Sequence, residues 1–284
     1  MVQFRRVPVR EEAGALLNVC VVIPWCNRAE LARSLPENAP WIKAAQAELI
    51  VVNGGGDVNR LRDLVKATNY AGVRVLDIQG VQYFNKPECL NVGALFSRAD
   101  WVFTLDADII LTVEFLDSAV QKLAGNNLFA TVKEVAELGP EIRILPSDPH
   151  GAVMQRIITT TVVHENGRTA SIEYSVDKHG TRSGVGLVLA RREHFIGIQG
   201  LNSNLRGWGY EDFDFQIRLQ LGLGLERVSL GRAQHVSHPP AQSAALSHSR
   251  NIATAWQNYS KGKLEGTFDS DVARLKDKVV ELVL

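Results

Sequence analysis

Apolar positions fall into short continuous runs in the first half of the chain, separated by stretches of helical spacing. Val19 to Ile23 is uninterrupted and apolar, as expected of a strand covered on both faces. Pro24 and Asn27 end it, and Arg28 to Leu35 is expected as a short helix. Glu48 to Val52 forms the next strand and stops at Asn53-Gly54-Gly55-Gly56-Asp57, a strong turn signal. Val58 to Thr68 has helical spacing, with Leu61, Leu64 and Val65 on one face. Val73 to Ile78 is a third strand. Pro87 to Ser97 is a helix whose first turn tolerates the proline. Trp101 to Leu105 is a fourth strand, with Asp106 and Asp108 at its carboxyl end. This alternation predicts an α/β fold, Rossmann-like, with a mostly parallel central sheet flanked by helices. Ligands of such sheets bind beyond the carboxyl ends of the strands. Polar or special residues stand at three of those ends: Pro24 to Arg28, the glycine turn, and Asp106-Ala107-Asp108.

The second half is less regular. Pro140, Pro146 and Pro149 punctuate the stretch from Leu138 to Lys178, which reads as a loop with a hairpin, β-like over Val153 to Val163. Ser183 to Ala190 is a further strand. Glu211 to Leu221 is a helix with carboxylates favoured in its first turn. Leu225 to Ser229 is a strand leading to His235-Val236-Ser237-His238. Ser243 to Asn258 and Asp269 to Leu284 are expected as terminal helices. The chain reads as a single domain, residues 1–284. Its nucleotide-binding half is about 15–110, its acceptor and catalytic half about 111–240, and its C-terminal helices about 241–284.

Composition narrows the classes. Lys plus Arg and Asp plus Glu both number 31, so nothing overall favours nucleic acid or an acidic membrane surface. The three cysteines, Cys20, Cys26 and Cys89, form no disulfide framework and have no metal-ligand spacing. The run from Ala15 to Pro24 is too short to span a bilayer, and Met1 to Glu12 is polar and charged rather than a leader. No transmembrane segment and a cytoplasmic location are therefore expected.

Two acidic motifs carry the chemistry. Thr104-Leu105-Asp106-Ala107-Asp108 ends an apolar strand in two carboxylates one residue apart. In an extended segment such residues point the same way, so both can face one divalent cation of the hard, oxygen-seeking kind, or one can bind it while the other orients water or ribose. Taken alone, Asp-x-Asp is more often a helix-capping Asp beside a turn. Arg206-Gly207-Trp208-Gly209-Tyr210-Glu211-Asp212 places an aromatic platform between glycines, directly before a carboxylate-rich helix start. The indole suits the apolar face of a sugar ring. A carboxylate there suits acceptor hydroxyls, or the role of general base. The plainer reading is a turn, a core tryptophan and a helix cap. His235 or His238 would complete a metal site with Asp108; otherwise both are loop histidines.

The chain resembles the GT-A glycosyltransferases. Within them it is similar to β-1,4-galactosyltransferases and to chondroitin-polymerase-like and polypeptide GalNAc-transferase modules. Four segments carry the resemblance in order. They are Val22-Ile23-Pro24-Trp25-Cys26-Asn27-Arg28, Phe84-Asn85-Lys86-Pro87-Glu88-Cys89-Leu90-Asn91-Val92-Gly93, Asp106-Ala107-Asp108 and Gly207-Trp208-Gly209-Tyr210-Glu211-Asp212. The resemblance implies a UDP-sugar donor and manganese (or magnesium). The metal would be held by Asp108, with Asp106 close to it and to ribose, and by His235 or His238. It places Arg28 and Lys86 near the uridine diphosphate, with Pro24, Asn27, Asn53 and Asn91 in the nucleotide-sugar site. Trp208, Gly209 and Tyr210 would contact sugar, and Glu211 would hold donor or acceptor hydroxyls. Asp212 would be the base of an inverting displacement. The acceptor is expected to be a glycan, a lipid-linked sugar, a peptide or a small molecule.

Four departures stand out. Tyr210 replaces the family's second glycine, and Phe213 its third consecutive acid. Asn53 stands where an acid often reads uracil, with Asp57 four residues on, and Lys86 replaces an arginine, losing the bidentate fork. A retaining UDP-GalNAc-type transferase and a non-catalytic sugar-binding relative are the alternatives. A nucleotide-sugar-forming nucleotidyltransferase is disfavoured, because Pro24 to Arg28 lacks the Gly-rich, Arg- and Lys-bearing loop expected after its first strand.

Overall fold

The computed structural model describes residues 18–68, 70, 72–112, 114–139, 156–177, 180–238 and 244–283. The first half runs β1 (Val19–Trp25), α1 (Leu31–Ala44), β2 (Glu48–Asn53), α2 (Val58–Ala67), β3 (Val73–Ile78), α3 (Lys86–Phe96) and β4 (Trp101–Thr104). Next come β5 (Ile109–Leu111), α4 (Glu114–Leu123), β6 (Leu128–Leu138), the β7–β8 hairpin (Arg156–Val163 and Thr169–Val176), β9 (Arg182–Arg191) and α5 (Arg192–Gly197). The chain continues through α6 (Glu211–Leu223), β10 (Glu226–Val236), α7 (Ala244–Ser260), α8 (Phe268–Leu275) and a 3₁₀ turn at Lys276–Lys278 to β11 (Val279–Leu282). The proline-punctuated part of the middle, residues 140–155, lies outside the described residues.

The sheet order is β11-β3-β2-β1-β4-β9-β6-β10-β5, with the hairpin attached to β9 through β8. Strands β3, β2, β1 and β4 pair in parallel. Antiparallel β9 then separates β4 from the parallel pair β6 and β10. Thus β3, β2, β1, β4, β6 and β10 all point the same way. Their carboxyl ends share one edge of the sheet, as the alternating pattern predicts. The chain also reverses its direction of winding between β1 and β4, because β2 and β3 lie on one side of β1 and β4 on the other. That crevice is where open α/β sheets bind ligands.

The apolar runs are continuous because both faces of the sheet are covered. Val19, Val21, Ile23 and Trp25 pack with Leu31, Leu35 and Ile42 of α1, while Cys20 and Val22 pack with Leu90 of α3 and with Phe215 of α6. Gly93 of α3 must be a glycine, since a Cβ there would come within 2.2 Å of Val22 Cγ1. The caps follow the sequence. Asp57 accepts from the backbone of Asn59 and Arg60 at the start of α2, and Asn85 from Glu88 at the start of α3.

Three elements differ from expectation. Helix α1 starts later than Arg28 and continues through Pro36 and Pro40 to Ala44. Burial of Leu35, Trp41 and Ile42 against the sheet outweighs the prolines' intrinsic penalty. Strand β10 does not stop at Ser229 but runs to Val236, paired with β6 on one side and β5 on the other. The last helix ends at Leu275. Val279–Leu282 instead adds an antiparallel edge strand to β3, with Glu281 reaching Arg74 at 2.8 Å. Among the described residues no helix is long and apolar enough to cross a membrane.

Candidate active site

Backbone geometry decides how the two acidic residues after β4 are used. The strand ends at Thr104, residues 107–108 form a turn, and Ile109 N–H donates to Asp106 O. The two carboxylates meet different partners. Asp106 meets Lys86 Nζ at 2.8 Å. Asp108 faces His238 Nε2 at 3.1 Å and His235 Nε2 at 3.6 Å. Helix α1 holds this turn from beneath. Ser34 Oγ donates to Ala107 O at 2.5 Å, and the buried Asn38 amide donates to Ile109 O and accepts from Leu111 N–H.

Asp108, His235 and His238 form a possible cation site, each offering one ligand atom within 4.8 Å of the others. Asp106 is not part of it. His235 faces Asp108 through Nε2 because its Nδ1 is taken by Glu137 Oε2 at 2.6 Å. Glu137 is the direct register partner of His235 between β6 and β10. Ser237 Oγ and Arg182 also bind Glu137. A carboxylate on the remote ring nitrogen is the usual outer support of a metal-binding histidine. Without a cation, the histidines and carboxylates pair with one another. Burial raises the Asp108 pKa, but hydrogen bonds and charge from His235 and His238 outweigh it and hold the carboxyl far below the carboxylate range. Burial would lower the His235 pKa, yet Asp108 and Glu137 push it up to about 9. The donors, one carboxylate and two imidazoles, one of them oriented through its Nδ1 by Glu137, fit a divalent transition ion better than magnesium.

A second cluster lies around Lys86. Its ammonium contacts Asp106 at 2.8 Å, Asp212 Oδ2 at 3.1 Å and Glu211 Oε1 at 3.9 Å. Gly186 on β9 leaves room for it, since a Cβ there would meet Asp212 Oδ2 at 2.8 Å. Thr104 Oγ1 fastens that part of β9 by donating to Gly186 O and accepting from Val188 N–H. Burial pushes the Glu211 carboxyl up to about 8; neighbouring Asp212 adds to this and Lys86 opposes it. Burial also raises Asp212, with Lys86 acting against the rise and Asp106 with it. Glu211 Oε2 is buried without a hydrogen-bond partner among the described residues, an acceptor awaiting a donor.

The platform before α6 is set by α7. Ser247 Oγ accepts from Trp208 N–H and donates to Trp208 O, Asn251 donates to Gly209 O, and Arg250 to Arg206 O. Gly207 and Gly209 have φ of +84° and +96°, and a Cβ on either would strike Ser247 or His248. Tyr210 takes φ +75° without being glycine; its ring stacks on Phe213 with centroids 5.8 Å apart.

The other expected nucleotide residues divide. Arg28 reaches the site rim, with Nη1 3.1 Å from His238 Nε2. Asn27 lies in the adjacent turn and accepts from Asp57 N–H. Pro24 is buried in β1 opposite Val52. Asn53 is buried, bound to Gly56 and to Asp77. Asn91 is buried and braces Leu201 and Asp271. The structure does not bring these last three side chains to the carboxylates. Glu137, Ser34, Asn38 and Gly186 carry no motif and were not expected. For Glu137 the only available signal was its place at the end of an apolar run that pairs with the histidine strand.

A family model described as the N-terminal domain of galactosyltransferase matches residues 168–239, the span holding Trp208 to Asp212 and both histidines. Human chondroitin sulfate N-acetylgalactosaminyltransferase 1 is 26% identical over 211 residues, covering 70% of this chain. An uncharacterized glycosyltransferase of Haemophilus influenzae is 24% identical over 204 residues, again 70% of this chain. The chain spans 36% and 60% of the lengths of these two relatives. The crystal structure of S. aureus TarS shares the fold, with a TM-score of 0.52 at 14% identity over 91% of this chain and 72% of that one. The family match, the relatives and the shared fold together support a glycosyltransferase of the GT-A class, galactosyltransferase-like in residues 168–239.

Proposed function

We propose that the protein transfers a hexose or N-acetylhexosamine from a UDP-sugar to an acceptor hydroxyl, inverting the anomeric centre. The observation that carries this reading is the adjacency of two clusters at the carboxyl ends of the strands. One is Asp108 with His235 and His238; the other is Asp106, Glu211 and Asp212 around Lys86. The first would hold manganese, which when bound would offset the negative charge on the departing diphosphate. In the second, Asp212 accepts the proton of the acceptor hydroxyl as its oxygen bonds to the anomeric carbon and the bond to diphosphate breaks. Lys86 opposes the rise that burial imposes on the Asp212 carboxyl. Glu211 Oε2 takes a sugar hydroxyl, which relieves its unpaired state. Trp208 carries the apolar face of the sugar. Arg28, at the rim, meets the diphosphate.

The test is UDP release from a panel of UDP-sugars with manganese and no acceptor. Slow hydrolysis of one donor, abolished by EDTA and by Asp108→Ala, is expected. Release that survives both would remove the metal from the reading. The anomeric configuration of the transfer product then separates inversion from retention.

A further inference from the structure

Five tryptophans divide sharply by exposure. Trp25, Trp41 and Trp101 are at most 5% exposed, while Trp208 and Trp256 are 56% and 50% exposed. The two exposed indoles belong to one aromatic row. The His248 ring lies 5.8 Å from Trp208 and 6.1 Å from Tyr210, and Trp256 Nε1 donates to Tyr210 Oη at 3.2 Å. His248 and Trp256 are two turns apart on α7, about 12 Å along the helix axis. The row thus begins at the platform four residues before Asp212 and extends well past the width of one pyranose ring. Tyr210, the bulky residue where the related motif has glycine, joins its two ends.

We propose that Trp256 forms a second acceptor subsite, so that the acceptor is an oligosaccharide whose ring next to the reacting one lies on α7. This rests on the transferase reading above. Exposed indoles with a polar N–H already fixed to the protein offer their faces to ligand. The C–H face of a pyranose matches such a surface, while its hydroxyls stay in water. The continuity of the row with Trp208 favours sugar over a protein partner. A subsite of this kind selects against monosaccharides and small natural products, because their single ring reaches only Trp208.

Two measurements on the full chain test it. In Trp208→Phe the only exposed indole among the described residues is Trp256, so acrylamide quenching reports on that ring. Lactose, cellobiose or chitobiose is expected to shield it where the matching monosaccharide does not. Separately, Trp256→Ala is expected to lower the ratio of disaccharide to monosaccharide kcat/KM about tenfold. Trp256→Phe should recover most of that ratio, which a merely unfolded α7 would not allow. An indole shielded by none of the disaccharides, or a ratio unchanged in Trp256→Ala, overturns the subsite. Shielding that grows with protein concentration in the absence of sugar assigns the face to a second copy and overturns it too. Failure of the transferase reading looks different: the wild type would release no UDP from any donor, while sugar shielding of Trp256 would persist.

Discussion

The first turn of α6 carries three carboxylates that end in two different settings. Asp214 turns inward. Its oxygens accept from Arg218 Nε at 2.7 Å and from Tyr259 Oη at 2.8 Å, and both charged side chains are 1% exposed. Arg218 further donates to Ile198 O and Gly200 O, tying α6 to the loop that leads into the platform. Glu211 and Asp212 turn toward β4, where they share the single ammonium of Lys86 with Asp106. One region is a balanced ion pair with both carboxylate oxygens occupied. The other is an excess of negative charge with an unpaired acceptor. Balanced charge suits a packed core, whereas surplus buried charge is the arrangement expected of the site proposed above. The residue type and the helix are the same, and only the neighbours differ.

The sharpest way to break this comparison is Asp212→Asn. It should lower kcat/KM by about 10²–10⁴-fold through loss of the base. It should leave the denaturation midpoint unchanged or raised, because like-charge repulsion is relieved. Full turnover in this variant would sink the base assignment. The opposite outcome is expected of Asp214→Ala, which strands Arg218 in the core. It should cost about 3–5 kcal/mol in urea unfolding, and Arg218→Met in the same chain should recover much of the loss. An Asp214→Ala protein as stable as wild type would mean that the buried pair is not structural.

Smaller effects sharpen the contrast within the site. Glu137→Gln keeps the shape of the histidine support but removes its charge. Manganese affinity by calorimetry should weaken about 10–100-fold. An unchanged affinity would place the cation away from His235. Lys86→Met tests the shared ammonium. Because the positive charge favours the ionised carboxylates, its loss should raise the pKa values of Glu211 and Asp212 further. The acid limb of kcat/KM, where activity falls as the base is protonated, should then move to higher pH. A limb that stays in place or moves down would contradict the charge coupling.

Local pattern was enough for the strands of the first half and, α1 apart, for its helices. The continuous apolar runs at Val19 to Ile23 and Glu48 to Val52 can persist only in a sheet covered on both faces. The same pattern singled out Asp108, Trp208, Glu211 and Asp212 as candidates, since strand ends and glycine-flanked turns are written in neighbouring residues. Pairing across the sheet was not legible. Glu137 supports His235 because β6 and β10 lie in register, and the final strand forms because β3 offers a free edge. Nor could spacing show that Asp106 and Asp108 diverge, since that depends on a turn held by Ser34 and Asn38 from a helix some seventy residues earlier. Asn53 and Asn91 make the same point in reverse. They occupy motif positions, but tertiary neighbours claim their amides for Asp77, Leu201 and Asp271. Periodicity and turn chemistry act between residues close in the chain, so the sequence by itself determined the elements and the kinds of chemistry they carry. Side-chain partners come from elements distant in the chain, so only the tertiary structure decided which carboxylate is paired in the core and which is left with an open acceptor.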